Sequence, residues 1–75
     1  MTATPARFVV CLTNRGHRDS LVLRRLYPVF PDAAAEKHGL LRIVDESGED
    51  YLYPKRYFAE VELSKSTERK LAAAR

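Results

Sequence analysis

Tryptophan is missing from this sequence altogether, and cysteine occurs once, at Cys11. A single cysteine excludes an internal disulfide, so a chain of 75 residues has to hold itself together with a thin apolar core. Set in an apolar run, Cys11 reads as a small buried hydrophobe in a reducing cytoplasm. A reactive thiol would need an exposed, electropositive setting instead. No apolar run approaches the roughly 18 residues of a membrane span, and the opening residues carry no hydrophobic signal core. The expectation is a cytoplasmic protein without a membrane partner. Glycine-rich phosphate loops, HExxH, CxxC and GxSxG are absent too. His17, His38 and Cys11 stand at no metal-motif spacing, and nothing places a base beside a nucleophile. A domain this thin rarely encloses a pocket of about 300 Å³ or more. These absences predict no enzyme, no cofactor, no metal and no small-molecule substrate.

What is present fits one small domain. Hydrophobic residues make up 45% and charged residues 31%, a balance neither disordered nor membrane-bound. Thirteen bases against ten acids leave a net charge of +3, a mild excess that permits attraction to polyanions without demanding it.

Residues 1–6 read as a flexible lead-in. Phe8 to Leu12 is unbroken apolar sequence rich in β-formers, closed by Thr13-Asn14-Arg15-Gly16, and predicts a strand covered on both faces. Asn14 to Ser20 is a solvated polar loop, the most basic in the chain through Arg15, His17 and Arg18. Leu21 and Leu23 alternate, which places both on one face of an extended segment, and Arg24-Arg25 marks a turn. Leu26 to Phe30 reads as a strand. Pro28 has no backbone donor, so this strand should be an edge, open to a second copy, or should present that position away from a partner.

From Asp32 to Gly39 the period changes. Asp32 is a good N-cap, Ala33 to Lys37 are helix formers, and Gly39 suits the left-handed position past the end, so a short helix packed through Ala35 and His38 is expected. Leu41 and Ile43 should face the core. Asp45 to Asp50 is a hairpin turn with Gly48 free to take a positive φ. Its four carboxylates repel one another, which argues for a solvated tip. Tyr51 to Tyr53 is a strand stopped by Pro54, and Lys55 to Phe58 fits one tight helical turn. Ala59 to Leu63 alternates again, with Val61 and Leu63 inward. Ser64 to Arg75 has helix formers, a cap at Ser66 or Thr67 and Leu71 as its only large apolar residue. It reads as a basic tail, disordered or transiently helical.

Residues Leu52-Tyr53-Pro54-Lys55-Arg56-Tyr57-Phe58 resemble the end of an SH3 domain. There an apolar strand meets a proline, a one-turn 3₁₀ helix carries a tyrosine, and a buried hydrophobe opens the closing strand. Leu21-x-Leu23 followed by two bases is similar to the segment before the second SH3 strand. The resemblance covers roughly Phe8 to Leu63 and implies a mostly β fold, a small SH3-like five-stranded barrel of residues 7–63 with one short inserted helix. The whole chain also resembles small uncharacterised bacterial proteins with a DESGEDYLYP-type segment. Peptide-binding SH3 domains line their grooves with an aromatic-rich first segment and a tryptophan. Here the tryptophan is missing, Phe8 to Leu12 carries no tyrosine, and only Pro54 and Tyr57 remain of that groove.

Two functions follow from different surfaces. One is a protein-interaction module using Tyr27, Tyr51, Pro54, Lys55, Arg56 and Tyr57, since tyrosine and arginine dominate interface energetics. The alternative is nucleic-acid binding through Arg15, Arg18, Arg24, Arg25, Lys55 and Arg56, which a sequence pI near 9.3 favours. The acidic turn at Asp45 to Asp50 opposes the second unless it points away.

Overall fold

Short runs with apolar residues at every second position pair into one antiparallel sheet. A computed structural model describes residues 7–73, with side chains through Leu71; residues 1–6, read above as a lead-in, lie outside the described residues. The strands are β1 (Arg7–Cys11), β2 (Leu26–Phe30), β3 (Leu40–Val44), β4 (Asp50–Pro54) and β5 (Phe58–Val61). A one-turn 3₁₀ helix, Lys55–Tyr57, stands between β4 and β5, and two α-helices, α1 (Ala33–Lys37) and α2 (Lys65–Ala73), complete the order. The strands lie β4-β3-β2-β1-β5, and every neighbouring pair is antiparallel. Among the described residues no ladder joins β4 to β5, so the sheet is open and these two strands are its edges.

Strand periodicity explains the core. Val9 and Cys11, Tyr27 and Val29, and Leu41 and Ile43 are two apart on their strands and meet on one face with Tyr53 and Phe58. Leu21 joins them from the long loop of residues 12–25 and is fully buried. Phe8, on the other face of β1, is also only 4% exposed, so the two adjacent residues Phe8 and Val9 are both covered.

Of the two places expected for Pro28 the second holds: β2 is not an edge but lies between β1 and β3. Pro28 is accommodated because it pairs in register with Phe8 on one side, while the β2–β3 ladder starts only at Val29. Leu23 does not share the fate of Leu21. Residues 22–25 form a turn closed by Arg25 N–H to the Val22 carbonyl (3.2 Å), which leaves Leu23 exposed. His38, expected to pack, is exposed.

Local chemistry fixes the helices. One carboxylate oxygen of Asp32 accepts the Ala35 N–H (3.0 Å) and caps α1, while the other receives Arg42 of β3, tying the helix to the sheet. The chain leaves α1 through Gly39 at φ +74°. The cap of α2 is Ser64, whose hydroxyl accepts the Thr67 N–H (3.1 Å), not Ser66 or Thr67.

The anchoring of the long loop by Leu21 is testable. Leu21→Ala removes a fully buried side chain and should cost about 2–4 kcal/mol, a large share of the stability of so small a domain. Urea unfolding with the slope unchanged checks this; a cost under about 0.5 kcal/mol would mean that the loop is not held by the core.

Candidate functional site

The loop after β1 folds back on itself before it reaches β2. His17 N–H donates to the Asn14 carbonyl (2.8 Å), Leu21 N–H to the His17 carbonyl (2.9 Å), and the Asn14 side-chain amide to the Leu21 carbonyl (2.9 Å). With Leu21 seated in the core, this compact excursion sets the His17 ring against the far side of the sheet. His17 meets Tyr53 edge-on with centroids 5.0 Å apart and lies 6.1 Å from Tyr57. Tyr53 in turn packs edge-to-face on Phe58 at 6.2 Å. An open cleft of about 340 Å³ runs beside this stack, lined by His17, Ser20, Ser47, Tyr51, Leu52 and Tyr53. A wider groove of about 540 Å³ follows the loop itself, Arg15 to Ser20.

The tip of the acidic turn, residues 46–50, is exposed as expected, but its first acid is not: Asp45 is 5% exposed. Its carboxylate accepts from the Tyr53 hydroxyl (2.6 Å), the Ser47 N–H (2.9 Å) and the Ser47 hydroxyl. Burial by itself would push the Asp45 pKa up, but these donors outweigh it and hold the group below the ordinary aspartate value. Burial and the same bond push the Tyr53 phenol up to about 12. Glu46 is likewise engaged: it accepts from the Tyr27 hydroxyl and pairs with Arg25 (3.1 Å). The Tyr27 oxygen takes the Val22 N–H (2.7 Å), and Glu46 N–H donates to the Ser20 carbonyl (2.9 Å). The start of the turn is therefore tied to the long loop, while residues 46–50 stay exposed.

The predicted interaction residues separate. Tyr27 is buried, 3% exposed, and cannot offer an interface; its parity with Val29 turns it inward. Tyr51 is 50% exposed on edge strand β4. Tyr57 is half-buried against the core, and the Arg56 guanidinium lies 5.6 Å from its ring centre. Pro54 is partly covered, while Lys55 and Arg56 are exposed.

The predicted basic residues come together only in part. The Tyr57 carbonyl accepts the N–H groups of Leu12 (2.8 Å) and Thr13 (3.3 Å), which brings the end of the 3₁₀ turn alongside the strand end. Arg24 N–H donates to the Cys11 carbonyl (2.8 Å) and Cys11 N–H to the Arg25 carbonyl (3.0 Å), which brings the 22–25 turn to its other side. Arg15 and Arg18 lie further along the loop that follows β1, and the Lys55 N–H donates to the Gly39 carbonyl (2.8 Å) just before β3. Arg25 is neutralised by Glu46, but among the described residues Arg15, Arg18, Arg24, Lys55 and Arg56 form no ion pair. Elsewhere Arg7 takes Glu36 and Glu60, and Arg42 takes Asp32 and Asp50. Asp19 is the acid within the basic loop.

His17 is the residue the sequence reading missed. The sequence shows it only as part of the basic loop and as the one ring between Phe8 and Tyr27. Cys11 is buried, and burial raises its pKa, as suits an unreactive thiol. Among the described residues no three His, Cys, Asp or Glu side chains come together, and no helix is long and apolar enough to cross a membrane. Comparison with family models, with curated proteins and with solved structures finds no match to this chain.

Because folding lowers the Asp45 pKa, the stability it contributes is whole above the ordinary value of 3.8 and is lost as pH falls through the lower folded value. Asp45→Asn should cost about 1–3 kcal/mol at pH 7 and should flatten the acid limb of the stability curve. Urea unfolding at pH 7 and pH 3 reads both effects. Parallel pH dependences for the two proteins would remove Asp45 from this role.

Proposed function

We propose that this protein is a non-catalytic binding module of the SH3-like barrel class, and that it takes an extended segment of a partner protein in the cleft between the long loop and β4. The strand order, the long excursion between β1 and β2, and the 3₁₀ turn before β5 support the barrel reading. The observation that carries the function is the aromatic cleft itself. His17, Tyr53 and Tyr57 form one packed stack, and Tyr51 stands half-exposed beside it with Leu52. Rigid aromatic surface lowers the ordering cost of binding, and tyrosine is among the residue types that dominate interfaces. The lone buried thiol suits a cytoplasmic setting.

A second reading, nucleic-acid binding, rests on Arg15, Arg18, Arg24, Lys55 and Arg56 forming no ion pair among the described residues. Tied to the long loop, the turn with exposed Glu49 weakens it, and Asp19 does so again.

Titration of the ¹⁵N-labelled full chain separates the two. A ten-residue peptide alternating serine with proline and leucine should move the amides of His17, Tyr51 and Leu52. The double variant Tyr51→Ala/Leu52→Ser, made at exposed positions lining the cleft, should weaken it about tenfold or more. A single-stranded oligonucleotide that bound more tightly, with affinity falling steeply as salt rises, would replace this reading with the second. No shift with either probe would overturn both.

A further inference from the structure

The long loop carries a second concavity of another chemical kind. The groove of about 540 Å³ is lined by residues 15–20. His17 and Ser20 line the cleft beside the aromatic stack as well, so the two hollows meet along one wall. Tyr51, Leu52 and Tyr53 give the cleft its apolar surface. The groove has instead two guanidiniums, Arg15 and Arg18, with the Ser20 hydroxyl and the Asp19 carboxylate.

The chain holds this groove in shape. Leu21, directly after it, is fully buried, and its carbonyl takes the Asn14 side-chain amide. Ser20 N–H donates to the His17 carbonyl (3.0 Å). The turn of residues 14–17, closed by His17 N–H on the Asn14 carbonyl, has Gly16 as its third residue at φ +76°. Arg15 and Arg18 flank that corner and line the same groove. A cradle fixed before its ligand arrives lowers the ordering cost of binding.

Charge then selects the ligand. Arg7, Arg25 and Arg42 each have a carboxylate, but among the described residues Arg15 and Arg18 pair with none, although Asp19 shares their lining. One carboxylate cannot serve both guanidiniums fully, because a single fork already uses its two oxygens. A phosphate monoester has three free oxygens and a charge of about −1.5 to −2, enough to engage both. A nucleic-acid strand matches less well. Continuing from the groove into the cleft, it would bring further phosphates to the exposed acidic turn, whose Ser47 lines the cleft.

We propose, on the reading of the cleft as the seat of an extended segment, that the neighbouring groove of residues 15–20 takes a phosphorylated side chain of that segment. Arg15 and Arg18 bind the phosphate oxygens, and Asp19 opposes them. The partner is a phosphoprotein with its phosphate at the groove end and uncharged residues toward the acidic turn.

The probes are the ten-residue peptide of serine, proline and leucine and the same peptide with phosphoserine at its first or at its last serine. Added to the ¹⁵N-labelled full chain, one phosphorylated form should bind about tenfold tighter than the unmodified peptide. It should also move the amides of Gly16, Arg18 and Asp19, which donate to no protein acceptor among the described residues. Arg15→Gln/Arg18→Gln, at exposed positions, should bring the two affinities to within about twofold of each other. Lys37→Gln/Lys65→Gln removes the same charge elsewhere on the surface and should leave the ratio near its original value. Asp19→Asn should raise it about twofold to threefold. Equal affinities with and without phosphate, or a gain that survives Arg15→Gln/Arg18→Gln, overturns the proposal. So does a gain that Lys37→Gln/Lys65→Gln abolishes. A single-stranded oligonucleotide bound through the same amides more tightly than the phosphopeptide overturns it in favour of nucleic acid. The cleft fails separately, when the unmodified peptide moves no amide. Inorganic phosphate then reads the groove by itself: a shift of residues 15–20 that Arg15→Gln/Arg18→Gln removes keeps it as a phosphate site, and no shift overturns it.

Discussion

The carboxylate of Asp45 lies inside the end of the sheet with donors on both its oxygens, from Ser47 and from Tyr53. A buried charge without such partners would cost several kcal/mol or more; with them it becomes a fixed strut. Through Tyr53 it sets β4 against the β3–β4 turn, and Tyr53 is the ring on which His17 and Phe58 rest. One residue on, Glu46 does the same for β2, holding the Tyr27 hydroxyl and Arg25, while its N–H binds the loop at Ser20. Two adjacent acids therefore connect the hairpin, the long loop and the 22–25 turn. The cleft beside His17 has its shape because these connections leave the loop little freedom.

The same connections decide the electrostatics. Asp32, Glu36, Asp50 and Glu60 are drawn to Arg7 and Arg42, and Glu46 to Arg25. Among the described residues Arg15, Arg18, Arg24, Lys55 and Arg56 are left without an ion pair, although the chain as a whole carries only +3. At physiological salt the field of an exposed charge reaches about 8 Å, so each of them acts only on groups close by.

Period-two alternation made most of this architecture legible. Leu41 and Ile43 announce β3, Asp32 and Gly39 bound α1, and Pro54 with Tyr57 marks the corner before β5. Alternation also held information the reading passed over: Asp45 is two beyond Ile43, and Tyr27 is two before Val29, so both inherit an inward direction. The density of carboxylates from Asp45 to Asp50 argued more loudly for solvent, and repulsion within a turn is a real cost. Residues 46–50 do face solvent; what buried Asp45 was a donor on the facing strand, Tyr53, itself buried, whose partner no local pattern names. Pro28 left two places open, and the fold took the second: a missing donor forbids one ladder bond, not a central strand, when the second ladder begins one residue later. His17 lacked any signal of spacing, because its neighbours Tyr53 and Tyr57 are distant in sequence and meet it only through the fold.

An open sheet exposes two edges, and each is blunted. β5 is four residues long, and Glu60 and Glu62 follow its buried Phe58. β4 ends in Pro54, which offers no donor, and it begins at Asp50, whose carboxylate is held by Arg42. Short length, charge and proline are the means by which natural sheets discourage strand addition. A partner that docked by extending the sheet would meet these obstacles at either side. Exposed side chains offer another chain a contact that these obstacles do not touch, Tyr51 beside the cleft and Leu12 past the end of β1. Strand addition at either edge is therefore the less favourable way for another chain to meet this sheet.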